Sequence, residues 1–355
     1  MFRANKVLVT LLLAFLVAAS LAATPAREVT PTTELVAGMI DTSKYKTDPP
    51  FTIGVSTMGE VNDWQVAGLH HINYGLKTKY KDLVEQVFYG HAPWDANKQI
   101  NAIEDMVLKG IDLLILLPAS EAALVSTIEK VMDKGIPVVL FGAKAFTDDF
   151  VSYVDRNNFD IGYTWADWLG DKLGGKGNVA LVLGAPGNSY TEDVLRGAKS
   201  CFQAKYPDIK LVGPAYGFWS PPEAKKAMET LIRSTDRIDG VLVDGGLMGF
   251  AVIEAFKDAN LPVPPLTADD WNGFLKIAKK ENIDFCLVNS GIDLSLDAVD
   301  IAIKILQGEP VPHTVLAETQ VYTSKDIDNL VKPNLPNSYW AINKLPESEI
   351  NRLYK

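Results

Sequence analysis

Polar and aromatic side chains cluster in segments that follow predicted strands of this sequence. Carboxylates, amides and indoles adjoin one another there, as in Asn62-Asp63-Trp64 and Asp269-Asp270-Trp271-Asn272. Carboxylates and amides hydrogen-bond neighbouring hydroxyl groups in pairs, while aromatic faces cover the C–H patches of a sugar ring. This mixture favours a site for a small polyhydroxylated ligand. The candidate ligand-binding residues are Asn62, Asp63, Trp64, Lys144, Asn188, Tyr190, Glu192, Trp219, Asp244, Asp269 and Trp271.

Each candidate also has a purely structural interpretation. Trp64 or Trp219 taken singly is more often a helix-packing residue than a ligand-stacking one. Asn188 and Asp270 precede predicted helices, where such side chains cap the first turn. Lys144 fits a solvated surface lysine equally well. If Asp269 serves the ligand alone, its replacement with Ala removes binding and leaves the unliganded stability nearly unchanged.

Residue types that commonly catalyse reactions lack suitable partners in the sequence. The four histidines have neither metal-ligand nor catalytic-triad spacing, and no dinucleotide-binding glycine fingerprint or Walker pattern occurs. Cys201 and Cys286 are predicted to be buried free thiols. We therefore predict no catalytic residue, no metal and no cofactor. The alternative is a secreted glycoside-processing enzyme with Asp269 and Glu192 as acid and base.

Length and composition indicate a folded protein with two domains or one very large one. The chain has 355 residues, of which 47% are hydrophobic and 22% charged. Its net charge of -10 would repel a phosphate backbone. Nucleic acid is therefore excluded as the expected partner.

The N-terminus has the pattern of a secretory signal. Arg3 and Lys6 precede an apolar stretch over 7–19, and small residues follow at Ser20, Ala22 and Ala23. We predict a signal peptide over 1–22 and export to the periplasm or another extracytoplasmic space. Residues 23–50 lack sustained periodicity and are predicted to be a linker.

From Phe51 onward the pattern alternates strand with helix, and a second set of elements repeats the order of the first. Apolar strands without polar alternation suit a sheet covered on both faces. Four landmarks recur at an offset of 125 to 127 residues: Val55 with Leu181, Tyr80 with Tyr206, Ile111 with Ile238, and Ile136 with Leu261. We interpret this as an internal duplication. The predicted fold class is α/β, with two doubly wound parallel-sheet lobes whose ligands bind beyond the carboxyl ends of the strands.

Several segments resemble one known family. They are Ile53–Thr57, Lys109–Pro118, Gly135–Val139 and Ile238–Leu242. In this order they are similar to type I periplasmic sugar-binding proteins of the ribose-binding kind, the extracytoplasmic receptors of ABC importers. The resemblance extends from Phe51 to about Thr323.

The resemblance implies two lobes joined by a three-segment hinge, near 154–158, 289–291 and 318–322. The N-terminal lobe would comprise 51–154 and 291–318, and the C-terminal lobe with its tail 155–290 and 319–355. The family's ligand-binding positions match Asn62-Asp63-Trp64, Asp269 and the hinge amide Asn289.

Two departures from the family pattern affect the expected ligand. Gly142-Ala143 stands where ribose-type members often carry Asp-Arg, and Gly245-Gly246 stands where they carry Asn-Asp. Smaller side chains predict a roomier pocket for a sugar or polyol other than ribose.

The resemblance thus implies a monomeric receptor that closes over its ligand and delivers it to a membrane ABC permease. A sensory receptor feeding a chemoreceptor is an alternative. A transcription repressor core shares the fold, but the signal peptide and the missing helix-turn-helix disfavour it.

Overall fold

A computed structural model describes residues 37–355. The predicted signal peptide and residues 23–36 of the predicted linker lie outside this range. The strands are β1 Met39–Ile40, β2 Phe51–Thr57, β3 Val84–His91, β4 Leu113–Leu116, β5 Val138–Phe141, β6 Ser152–Asp155, β7 Lys176–Leu183, β8 Asp208–Tyr216, β9 Gly240–Val243, β10 Leu266–Asp269, β11 Phe285–Val288, β12 Val311–Pro312, β13 Thr314–Leu316 and β14 Val321–Thr323. The helices are α1 Asp63–Tyr74, α2 Ala96–Leu108, α3 Val125–Asp133, α4 Asn158–Lys172, α5 Ser189–Lys205, α6 Pro221–Ser234, α7 Gly246–Asp258, α8 Asn272–Glu281, α9 Leu294–Gln307, α10 Ile327–Leu330 and α11 Glu347–Tyr354.

Two six-stranded sheets with the same topology organise these elements. The order is β13-β6-β5-β4-β2-β3 in the N-terminal lobe and β14-β11-β10-β9-β7-β8 in the C-terminal lobe. All neighbouring strands are parallel except β14, which pairs antiparallel with β11. The matching order supports the inferred duplication, and the predicted fold class is confirmed.

Helices cover both faces of each sheet, which explains the continuous apolar strands. All four residues of β4 and of β5 are buried, as are all four of β9 and β11. A strand enclosed on both faces favours apolar side chains on both of them. Polar side chains such as Asp155 and Asp269 stand at the carboxyl ends of β6 and β10, where they reach the loops beyond the sheets.

Three segments pass between the sheets, close to the predicted hinge positions. They join β6 to α4, β11 to α9, and β13 to β14. Asn289 ties two of them together, because its Oδ1 accepts the Gln320 N–H at 2.8 Å and its Nδ2 donates to the Glu318 carbonyl at 3.3 Å. The Arg156 guanidinium donates to the Asn289 carbonyl and so ties the first crossing to the second.

Residues 37–50 are folded, although the sequence predicted a linker there. Strand β1 pairs antiparallel with β12, the Thr42 hydroxyl donates to the Glu309 carbonyl at 2.6 Å, and Tyr45 is buried. These contacts are made with residues more than 250 positions away. Local periodicity therefore could not reveal them.

The C-terminal tail, residues 332–355, packs on the C-terminal lobe and reaches the other lobe. Asn272 is fully buried, and its Nδ2 donates to the Lys332 carbonyl at 2.9 Å while its Oδ1 accepts the Lys332 N–H at 2.9 Å. Lys344 forms an ion pair with Asp297 of α9 at 2.7 Å. The tail thus contacts both lobes near the hinge.

Cys201 and Cys286 are buried free thiols, as predicted. Burial raises the pKa of Cys201 to about 11 and that of Cys286 to about 12. Over residues 37–355, no helix has the length and apolar character needed to cross a membrane.

Candidate functional site: the cleft between the lobes

A cavity lies between the lobes, beyond the carboxyl ends of both sheets. Its volume is about 840 Å³ when the space open to solvent at its mouth is included. It is lined by Met58, Asn62, Trp64, Gln65, Trp94, Leu117, Pro118, Gly142, Ala143, Asp155, Arg156, Asn188, Tyr190, Trp219, Asp244, Gly245, Leu247, Asp269, Ser290, Leu294 and Trp340. Both lobes, the hinge and the C-terminal tail contribute to this lining.

Aromatic rings form much of the cavity wall. Four of the seven tryptophans line it: Trp64, Trp94, Trp219 and Trp340. The Trp64 indole N–H donates to the hinge carbonyl of Ser290 at 3.0 Å, which fixes the ring against the crossing segment. Tyr190 lies 6.3 Å from Trp219 between ring centroids. Such rings supply faces for the C–H side of a cyclic ligand.

Charged side chains stand among these rings. Asp155, Arg156, Asp244 and Asp269 come from the ends of β6, β9 and β10. Asp155 accepts hydrogen bonds from the Tyr153 hydroxyl and, at 2.8 Å, from the Asn158 amide. The Arg156 guanidinium lies 5.9 Å from the centroid of the Tyr190 ring.

The environment of the cleft raises the pKa values of the carboxyl groups. Burial raises the pKa of Asp244 to about 7, against an opposing hydrogen bond from the Gly184 N–H. Enclosure in the cleft, together with the charge of neighbouring Asp270, raises the pKa of Asp269 to about 8. Burial also raises the pKa of Asp155. The site therefore contains carboxyl groups that can donate as well as accept near neutral pH.

Three residues of the lining carry buried polar atoms that have no partner among the described residues. Asp244 Oδ1, Arg156 Nε and Ser290 Oγ are buried and make no hydrogen bond within the described residues. An unpartnered buried polar atom costs free energy, so native proteins satisfy such groups with water or a ligand. A hydroxylated ligand could pair with a carboxyl, a guanidinium and a hydroxyl at once.

Helix starts position several of the predicted residues. The Asn62 Oδ1 accepts the Gln65 N–H at 3.0 Å at the start of α1, and the Asn188 Oδ1 accepts the Tyr190 N–H at 3.1 Å at the start of α5. Asn188 therefore caps a helix, which was its structural interpretation from the sequence, and it also lines the cavity. Asp269 Oδ1 accepts the Gly246 N–H at 2.6 Å at the start of α7.

Seven of the twelve predicted ligand-binding residues line the cavity. They are Asn62, Trp64, Asn188, Tyr190, Trp219, Asp244 and Asp269. Because parallel strands end at the same edge of a sheet, the loops after them converge there. Their contact with a ligand stays a prediction.

The other five lie outside the lining, and each has a partner that accounts for its position. Asp63 accepts the Trp271 indole N–H at 2.9 Å, so these two predicted residues satisfy each other. Lys144 is exposed and lies 3.9 Å from Asp193. The Glu192 carboxylate accepts the Gly187 N–H at 2.9 Å, and Asn289 bonds the neighbouring hinge strand.

The positions predicted to leave extra room are occupied by neighbouring side chains. A Cβ at Gly142 would lie 3.3 Å from the Trp64 ring, and one at Gly246 would lie 2.5 Å from Asp269 Oδ1. The missing side chains at Gly142 and Gly246 therefore make space for Trp64 and Asp269, while Gly142, Ala143 and Gly245 line the cavity.

Sequence reasoning missed several lining residues. Trp94 stands 125 residues before Trp219, so the duplication offset could have identified it. Arg156 follows directly on β6 within the first hinge crossing, which was a usable signal. Trp340 lies in the tail, beyond the repeated elements, and no local pattern marks it.

Two parallel-sheet lobes around an aromatic and polar cleft define a bilobal solute-binding protein of type I topology. The chain belongs to a family described as periplasmic binding protein domain, whose model matches residues 53–310. Members of this family bind solutes, and none of the catalytic motifs sought in the sequence is present.

Curated relatives and solved structures agree with this assignment. The xylitol-binding protein of Mycolicibacterium smegmatis is 26% identical over 257 residues, covering 72% of this chain and 73% of that protein. The ribose import binding protein RbsB of Bacillus subtilis is 24% identical over 275 residues, covering 78% and 88%. An ABC transporter solute-binding protein from Mycobacterium smegmatis, solved with bound glycerol, superposes with a TM-score of 0.74 at 21% identity, covering 83% of this chain and 100% of that one.

Proposed function

We propose that this chain is an exported receptor that binds a small sugar or polyol in the cleft and delivers it to an ABC permease. One observation carries the proposal: indole rings and unpartnered buried polar atoms converge on one cavity from both lobes and the hinge. The names of the relatives, which include xylitol- and ribose-binding proteins, support the same class of ligand.

Closure provides the mechanism. The lobes touch across the cleft, where Glu121 of the N-terminal lobe accepts the Ser189 N–H of the C-terminal lobe at 2.7 Å. A ligand that contacts both lobes binds the closed form better than the open form and shifts the population toward it. The closed surface is then what a permease recognises, and the receptor acts as a monomer outside the cytoplasm.

The hydrolase alternative receives no support from the positions of its two acids. Glu192 is outside the cavity lining and accepts a backbone N–H, whereas Asp269 lines the cavity. A glycosidase needs both carboxyl groups flanking one scissile bond. We therefore propose binding without turnover.

A thermal-shift panel tests the proposal. Xylitol, D-ribose, D-fructose, myo-inositol and glycerol are the probes, and a binding probe raises the melting temperature by mass action. Asp269→Ala is expected to lose the shift, whereas the matched control Glu192→Gln, outside the cavity, keeps it. Because Asp269 also accepts the Gly246 N–H, each variant is compared with its own unliganded melting temperature. Absence of a shift with every probe, or product release during incubation, would overturn the proposal.

A further inference from the structure

Two tryptophans occupy equivalent loops of the duplicated lobes. Trp94 lies three residues after β3 and two before α2, and Trp219 lies three residues after β8 and two before α6. Both have left-handed backbone conformations, each with φ of 50°. Such conformations are uncommon for residues other than glycine and persist where the surroundings impose them. The two loops therefore share a constrained geometry as well as a position.

The two indoles meet across the cleft. Their ring centroids are 6.2 Å apart and their planes are inclined by only 5°. Both line the cavity, yet Trp94 is 49% exposed, so the pair has one side toward the ligand space and another toward solvent. Because the rings belong to different lobes, this stacking requires the closed arrangement.

The Trp219 ring is held more firmly than that of Trp94. A Cβ at Gly184 would lie 2.0 Å from the Trp219 ring, so the indole lies directly against the backbone that follows β7. Tyr190 adds an aromatic contact on the same lobe. Trp219 thus forms a fixed surface. The exposed Trp94 ring approaches it when the lobes close and moves away when they open.

We infer that Trp94 and Trp219 form an indole gate that separates for ligand entry and restricts the cavity to one unsubstituted ring or an open-chain polyol. This inference rests on the proposed function. A substituent that extends from the ligand toward the gate would occupy the position of one indole and break the stacked pair. Offset-stacked aromatic rings stabilise a contact by more free energy than their buried apolar area alone provides. The gate therefore also favours the closed form.

Paired ligands test the size restriction. D-ribose and D-fructose are compared with methyl β-D-ribofuranoside and sucrose, by calorimetric titration of the wild-type protein and Trp94→Ala. We expect Trp94→Ala to bind the parent sugar severalfold more weakly and to improve the substituted-to-parent affinity ratio at least tenfold. Trp168→Phe, on α4 outside the cavity lining, is the control and should change neither value. A ratio unchanged in Trp94→Ala, or equal affinities for parent and substituted ligands in the wild-type protein, would overturn the inference.

A spectroscopic measurement on unliganded and liganded samples tests the stacking independently of affinity. Stacked indoles give an exciton-coupled circular dichroism band, which Trp94→Ala and Trp219→Phe should each abolish and Trp168→Phe should retain. If no probe sugar binds the wild-type protein, the proposed function fails. If the wild-type protein lacks the coupled band in both unliganded and liganded samples, the gate fails on its own evidence.

Discussion

Asp244 provides a test of how the cleft treats a buried carboxyl group. The residue is 2% exposed, its Oδ2 accepts the Gly184 N–H at 2.8 Å, and its Oδ1 has no hydrogen-bond partner among residues 37–355. Asp244→Asn keeps an acceptor for Gly184 and removes the ionisable group. Asp244→Ala removes both.

The structure predicts different effects for the two substitutions. Asp244→Ala leaves the buried Gly184 N–H unpaired, which lowers the free energy of unfolding by about 1–3 kcal/mol relative to Asp244→Asn at every pH. Asp244→Asn avoids this cost, because its side-chain oxygen can replace the lost acceptor. At pH 4, where native Asp244 is protonated and neutral, Asp244→Asn should match the wild-type protein.

The pH dependence follows from the raised pKa. Asp244 titrates near 3.8 in the unfolded chain and at about 7 in the folded protein, so unfolding releases its proton between these values. Raising the pH through this window therefore favours unfolding. The wild-type protein should lose stability relative to Asp244→Asn by at most about 1.4 kcal/mol per pH unit between pH 4 and 7.

Urea unfolding, followed by tryptophan fluorescence at pH 4, 5, 6 and 7, measures these differences. Asp236→Asn, at an exposed position, is the control and should run parallel to the wild-type protein. The reasoning is refuted if Asp244→Asn also runs parallel, because the carboxyl group then titrates alike in the folded and unfolded chains. It is refuted as well if Asp244→Ala is as stable as Asp244→Asn.

Two further predictions concern the tail and the closed form. Asn272→Ala should lower the free energy of unfolding by about 3 kcal/mol in urea titrations, because it removes the partners of the Lys332 N–H and of the buried Leu335 carbonyl; a loss below about 0.5 kcal/mol would contradict this. Glu121→Ala removes the acceptor of the Ser189 N–H and should weaken binding of the best panel sugar by about 1 kcal/mol, roughly fivefold in Kd. Glu121→Gln retains an acceptor and is its control, so equal titrations for both variants would count against a role in closure.

The fold was readily predictable because strands that helices cover on both faces appear in the sequence as continuous apolar runs. Strand β2 begins at Phe51, the residue from which the sequence predicts alternating strands and helices. The two-lobe architecture followed from the repeated order of elements, and the three crossings were implied by the family resemblance. The carboxyl ends of the strands then indicated the loops in which seven lining residues were found.

Five of the predicted ligand-binding residues lie outside the cavity lining, and their protein contacts are both distant and local. Asp63 and Trp271 were both predicted to face the ligand, yet they bond each other across 208 residues. Lys144 lies near Asp193, and Glu192 turns back to its own loop. A sequence shows which side chains can form hydrogen bonds with a sugar. It does not show which of them already have protein partners.

The amino-acid sequence by itself determined the class of protein: the duplicated α/β halves, the hinge between them and the chemical character of the loops that converge. The halves and the loops follow from periodicity and from the repeated offset along the chain, whereas the hinge was implied by the family resemblance. Only the tertiary structure decided that Trp94 stacks on Trp219, that Arg156 and Trp340 enter the cavity, and that residues 37–50 are packed. The physical reason is that such contacts form only when segments far apart in the chain approach each other in space. A donor or acceptor that already bonds a protein partner is then not available to a ligand.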